Sequence, residues 1–219
     1  STAGLIPLTE PYTLLHFHLN EAGGGEQIDA SVLSVTGADA IVDWVMMRLR
    51  GDQPPYAKQQ LRMALLQRDG DIVDLDGVSP VRFALLPGSY VLEVHHRNHL
   101  GIMCTQPMPP TPTGTPISVD LTLPATPCYG TLARKQVGGT MALWPGNSLL
   151  DHRIAFTGSG NDRDRILVAV GSTTPNNLTT GQYRLEDINL DGVVKFTGTG
   201  NDRDPILVTV GSTTPNNIR

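Results

Sequence analysis

The chain is expected to be mainly β: an N-terminal β-sandwich, Ig-like or prealbumin-like, followed by a small tandem repeat with two short helices. Three observations carry this expectation. Glycine and proline account for 40 of 219 residues while aromatics are only 5%, a turn-rich composition that suits many short strands. The first 124 residues alternate apolar and polar side chains in short runs, as a sheet with one solvated face requires. The last third of the chain repeats itself almost word for word, which marks an internal duplication.

Strands are expected over residues 12–19, 27–35, 41–49, 61–68, 81–85, 89–95 and 117–123. Gly23-Gly24-Gly25, Gly51-Asp52, Asp69-Gly70, Asp76-Gly77 and Pro87-Gly88 separate them as turns. Residues 58–67 are helical by composition, but the alternation of Leu61, Met63 and Leu65 predicts a strand. Short strands at this spacing predict a sandwich. Between 105 and 127 prolines crowd the chain, Pro107, Pro109, Pro110, Pro112, Pro116, Pro124 and Pro127. Such a segment can give few ladder donors, so it predicts a linker or edge crossing. The domain boundary is therefore placed near Pro124, with the sandwich at 1–124 and the repeat at 125–219.

The net charge of −5, with no basic block, argues against nucleic acid as a partner. No apolar run reaches the roughly 18 residues that predict a transmembrane span. Cys104 and Cys128, the only cysteines, bracket the Pro/Thr-rich passage. Such a pair in a secreted chain predicts a disulfide, with two unpaired buried thiols as the alternative.

Residues 156–177 read FTGSGNDRDRILVAVGSTTPNN and residues 196–217 read FTGTGNDRDPILVTVGSTTPNN, differing at three of 22 positions at an offset of 40. Asn161-Asp162 and Asn201-Asp202 are helix starters whose side-chain oxygens can cap a first turn. Pro205 suits the first turn of the second helix. Ile166, Leu167 and Val170, and Ile206, Leu207 and Val210, give each helix a buried face. Gly171 and Gly211 end them.

Upstream of the second copy, Asp187-Ile188-Asn189-Leu190-Asp191-Gly192-Val193 has the form D-x-N-x-D-G. Calcium wants six to eight oxygens, and alternate oxygen side chains on a curved loop all turn inward. Asp187, Asn189, Asp191 and the Val193 carbonyl are thus predicted ligands, with Gly192 at the sharp turn. The twelfth loop position is Gly198 instead of a carboxylate. The closing oxygen is therefore assigned to Asp202, with Asn201 and Asp204 behind it. The first copy is degenerate: Asn147 and Asp151 keep the first and third ligand positions, Leu149 takes the second, and His152 replaces the glycine. Asn161, Asp162 and Asp164 are retained, so a weaker Ca2+ site is expected there.

This paired loop-and-helix organisation, over roughly residues 140–219, resembles a divergent dockerin-type calcium repeat. The segment from Ala64 to Met103 also resembles a region of large secreted bacterial surface proteins that precedes the same NDRD-type repeat. The resemblance implies an extracellular or cell-surface location, calcium, and a non-catalytic role in adhesion, display or assembly. A dockerin binds a cohesin partner.

Other constellations weigh less. Asp69, Asp71, Asp74 and Asp76 suit turn chemistry better than a third calcium site. His16, His18, His95, His96 and His99 lack a familiar zinc spacing. No nucleophile elbow, H-E-x-x-H or phosphate loop is present in the sequence, so no enzyme is expected. The expected function is a calcium-stabilised extracellular structural protein that self-associates into a polymer, residues 5–19 offering a strand to a neighbouring sheet edge. The alternative is an adhesion or docking module that binds a glycan or another surface protein.

Overall fold

A computed structural model describes residues 4–17, 24–108 and 115–219. It is mainly β, with two α-helices among the described residues. The chain divides into two compact units. The first spans Pro7–His96 and Gly101–Leu143, and the second holds Arg97–Leu100 and Trp144–Arg219 together with residues 4–6. Along the later part of the chain the compact units part between Leu143 and Trp144.

The first unit is built on a five-stranded antiparallel sheet. Its strands are β1 (Ile41–Gly51), β2 (Lys58–Gln67), β3 (Ile72–Val73), β4 (Tyr90–His96) and β5 (Ile102–Met103), in the order β3-β2-β1-β4-β5. A short ribbon of β6 (Lys135–Val137) and β7 (Thr140–Ala142) follows. The alternation that predicted strands at 41–49, 61–68 and 89–95 is realised in β1, β2 and β4. β1 nevertheless leaves no residue exposed and buries seven of its eleven, because both of its faces are covered. Register places Trp44 beside Leu65, Met46 beside Met63 and Arg48 beside Glu93, all on one face by the two-residue period of a strand. On the other face Leu49, Leu92 and Val94 join Ile102 and Cys104 in a core cluster.

The other expected strands fold differently, for local reasons. Residues 11–16 form turns, and Tyr12 is wholly buried, its Oη donating to the Trp44 carbonyl at 2.8 Å. His18, Leu19 and Gly23 lie outside the described residues, as do Pro109, Pro110 and Pro112. Within 27–35 the Asp29 side chain accepts from Ser31 N and starts a 3-10 helix, Ala30–Ser34. Residues 81–85 and 117–123 stay out of the ladders, yet Phe83, Leu85, Val119 and Leu121 pack onto the second cluster. Their alternation reflects one-sided burial without pairing.

The expected bond between Cys104 and Cys128 is not formed; both are thiols. They face each other across an antiparallel bridge, flanked by Thr105 N to Pro127 O at 3.1 Å and Tyr129 N to Met103 O at 2.9 Å. That is a non-hydrogen-bonded pair, the position with the closest side chains. Burial, followed by the neighbouring Cys128, pushes the Cys104 thiol up to about 11, which leaves little thiolate to start an exchange.

The second unit carries α1 (Asp162–Ala169), the ribbon β8 (Leu178–Thr180) with β9 (Val193–Lys195), and α2 (Arg203–Val210). Its core joins both copies: Ile154, Ile166 and Val170 of the first, with Ile188, Val194, Ile206 and Val210 of the second. Both helices stop at the expected glycines. Gly171 and Gly211 have φ of 108° and 101°, and an added Cβ would lie 2.8 and 2.7 Å from Thr174 and Thr214 Oγ1. The tails are exchanged. Thr157 Oγ1 donates to Asn216 Oδ1 at 2.7 Å, and Thr197 Oγ1 donates to Asn176 Oδ1 at 2.8 Å. Likewise β8, which follows the first tail, pairs with β9 of the second copy, while Ile154 exchanges backbone bonds with Arg219.

Candidate metal centre

Each NDRD segment performs the same local work. Asn161 Oδ1 accepts from Asp164 N and Asn201 Oδ1 from Asp204 N, both at 3.0 Å, which caps the helix. Their Nδ2 groups donate to the Gly158 and Gly198 carbonyls at 2.7 Å, and to Asp164 and Asp204 Oδ2 at 2.8 Å. Arg163 and Arg203 lie over the Phe156 and Phe196 rings, 5.2 Å from the centroids.

The second residue of the motif turns inward. Asp202 Oδ1 accepts from Ile188 N and Asn189 N at 2.7 and 3.2 Å, and Oδ2 accepts from Lys195 N at 2.7 Å. Asp162 does the same with Ser148 N, Leu149 N and Ala155 N, at 2.8, 3.1 and 2.9 Å. Each carboxylate thus clamps the two ends of its loop to the helix start. Each of these carboxylates, which the sequence assigns as ligands, accepts from three backbone donors.

The other predicted oxygens cluster in the second loop. Asp187 accepts from Asp191 N and Gly192 N, both at 3.1 Å; Asn189 Oδ1 accepts from Asp191 N; Asp191 Oδ1 accepts from Val193 N. This succession of side-chain-to-backbone bonds curls the loop. Gly192 takes φ 85° at the turn. Asn189 Nδ2 donates to Asp191 Oδ2 at 3.2 Å and to the Gly200 carbonyl at 2.9 Å, so the amide N–H2 ties the loop to the start of the second NDRD segment. Among the described residues no three His, Cys, Asp or Glu side chains gather at metal-binding range. A cation here would draw on amide and carbonyl oxygens as well as carboxylates, the donor type of hard cations.

The first loop keeps the shape with a poorer donor set. His152 adopts φ 63° where the second loop has glycine. Asp151 accepts from Arg153 N and Nε at 3.3 and 2.8 Å. Asn147, only 4% exposed, has no hydrogen-bond partner for its Oδ1. A buried amide oxygen without a donor is costly, and a bound cation or water would satisfy it.

Burial dominates the electrostatics. It raises Asp162 to about 6 and Asp202 to about 7 against the backbone donors, with nearby Asp151 and Asp187 adding to the rise. Asp187 is also raised, by burial first and by Asp191, against the Arg97 guanidinium. For a carboxyl whose folded pKa lies above its unfolded value near 3.9, the contribution is stabilising below that value and is lost as pH rises through the folded one. In chelator, the melting temperature of the second unit is therefore expected to be higher at pH 5 than at pH 8. Calorimetry giving the reverse order would contradict the assignment of these three as the dominant titrating groups.

No family model, curated protein or solved structure matches the chain.

Two further residues shape this centre, and neither carried a motif. Asn98, fully buried, donates through Nδ2 to the Leu185 and Asp187 carbonyls at 3.1 and 2.6 Å. Its own carbonyl accepts from Gly146 N and Asn147 N at 2.9 and 3.0 Å. One residue thereby fixes the start of both loops. Arg97 donates to the Arg184 carbonyl and lies 3.5 Å from Asp187 Oδ2. The sole sequence hint was a polar run, Arg97-Asn98-His99, straight after an apolar strand.

His95, His96, His99, Asp74 and Asp76 have separate partners. His95 meets Glu93, His96 Nε2 lies 3.0 Å from Asp43 Oδ2, and His99 Nδ1 lies 2.9 Å from Asn98 Oδ1. Asp74 pairs with Arg62 at 2.7 Å, and Asp76 accepts from Val78 N and Ser79 N in a turn.

Proposed function

We propose that this chain is a non-catalytic, calcium-stabilised extracellular structural protein that assembles with copies of itself, related in its second unit to dockerin-type repeats. The observation that carries the reading is the second loop. Side-chain oxygens of Asp187, Asn189 and Asp191, at alternate positions, curl it by accepting from Asp191 N, Gly192 N and Val193 N. Burial raises Asp187 and Asp202, and a neighbouring carboxylate adds to each rise, Asp191 at Asp187 and Asp187 at Asp202, a repulsion that a divalent cation relieves. Asp187, Asn189, Asp191 and the Val193 carbonyl would hold the ion, with Asn147 and Asp151 as the weaker counterpart. In the first unit, Phe83, Leu85, Val119 and Leu121 cover one sheet face, the place a second sandwich layer takes.

Calorimetry tests the metal. Calcium at a hundredfold excess over its Kd should stabilise the fold by about 2.7 kcal/mol. Asp187→Ala should remove most of that gain and Asp151→Ala less. An unchanged melting temperature in millimolar calcium would refute the metal assignment. Electron microscopy of purified protein with and without chelator tests assembly. Regular polymers lost on chelation support it, and monodisperse monomers under both conditions overturn it in favour of a docking module.

A further inference from the structure

We propose that Arg97 is a resident counter-cation of the second loop, holding Asp187 in the metal-free state and competing with calcium for that carboxylate. This rests on the calcium reading above and adds a determinant of its affinity. Arg97 and Asp187 are 4% and 3% exposed, so neither charge is met by bulk water, and a buried charge demands a partner. Arg97 Nη2 lies 3.5 Å from Asp187 Oδ2. The guanidinium is anchored independently of that contact, by the Arg184 carbonyl and by the Tyr183 ring, 4.3 Å from its centroid. All three partners lie in the stretch leading into the loop. A cation reaching Asp187 thus meets a second positive charge that stays fixed beside it.

The first copy provides an internal comparison. There the equivalent of Asp187 is the neutral Asn147, whose Oδ1 has no hydrogen-bond partner. The loop with the carboxylate has a guanidinium beside it, and the loop without the carboxylate has an unsatisfied oxygen. Arg97 is a positioning residue: it touches the ligand group and leaves the ion to others. Two cations sharing one carboxylate are negatively coupled, and the coupling is reciprocal.

The test is a calcium titration of the full chain by calorimetry, alongside thermal melts in chelator. Arg97→Gln should bind calcium at least about fivefold more tightly than wild type, the lower end of usual site coupling, and should melt at a lower temperature without metal. Arg97→Met keeps an unbranched stem over Tyr183 without the charge. It should show the same tightening and serves if the Gln variant does not fold. Arg97→Lys keeps the charge and should retain the weak wild-type affinity. Unchanged or weaker calcium binding in both neutral variants, with wild type binding, overturns the competition. So does a Lys variant that tightens as much as they do. Absence of calcium binding in wild type and variants alike removes the calcium reading, and this inference with it.

Discussion

Asp202→Ala should melt the second unit at far lower temperature than any surface substitution in it. Asp202 is fully buried, and its two oxygens are the acceptors for Ile188 N, Asn189 N and Lys195 N. Truncation leaves three donors without that acceptor, and each buried unsatisfied group costs about 1–3 kcal/mol. Domains are stable by only about 5–15 kcal/mol, so the loss takes most of the margin. Asp162→Ala should behave alike, since its three bonds are the same in kind and length. Asp202→Asn should fall between: its Oδ1 still serves Ile188 and Asn189, but an amide N–H2 then faces Lys195 N. Circular-dichroism melts decide it. A drop for Asp202→Ala below about 4 °C, the shift for roughly 1 kcal/mol in a small domain, would mean the clamp is dispensable.

The second large effect lies in the first unit. Glu93, 6% exposed, takes Arg48 Nη1 at 2.9 Å and also meets Arg50 and His95. Glu93→Ala takes the carboxylate from two guanidinium groups, one of them buried, and removing one partner of a buried pair costs about 3–5 kcal/mol. Replacing both partners, Arg48→Met with Glu93→Leu, should cost less than Glu93→Ala alone, because the desolvation penalty then falls away with the charge. Urea midpoints at pH 7 measure the difference; equal losses would show that the charges are not coupled. Burial alone would raise the Glu93 carboxyl, but His95, Arg50 and Arg48 outweigh it and hold it well below the usual range. A depressed carboxyl stabilises above its unfolded pKa and loses that contribution as pH falls through the folded value. Glu93→Ala should therefore flatten the acid limb of the stability curve, opposite in sign to the second unit's response in chelator.

Much of the repeat is legible in sequence because its determinants are local. Asn161 and Asn201 cap helices three residues away, and Gly171 and Gly211 end them within the same stretch. Strands β1, β2 and β4 were legible from alternation alone. Where alternation misled, at 81–85 and 117–123, side chains are buried on one side but the backbone has no ladder partner. Residue pattern records which face is dry; it does not record where the N–H groups go. The same blindness governs Asp202. Its partners are backbone donors of Ile188, Asn189 and Lys195, which have no sequence signature, so its part as a loop clamp was not legible. Arg97 and Asn98 lie about ninety residues before the loop they brace, and no local motif could join them.

The crossed tails bear on how such a unit could arise. A chain holding one copy would have a loop strand with no partner and a tail with no loop to grip. Two such chains would satisfy each other about a two-fold axis, each lending its Thr-Pro-Asn-Asn segment to the other, as isologous dimers do. The contacts between Thr157 and Asn216, and between Thr197 and Asn176, are in effect a dimer interface folded into a single polypeptide. Neither half holds its own tail; each keeps the other's.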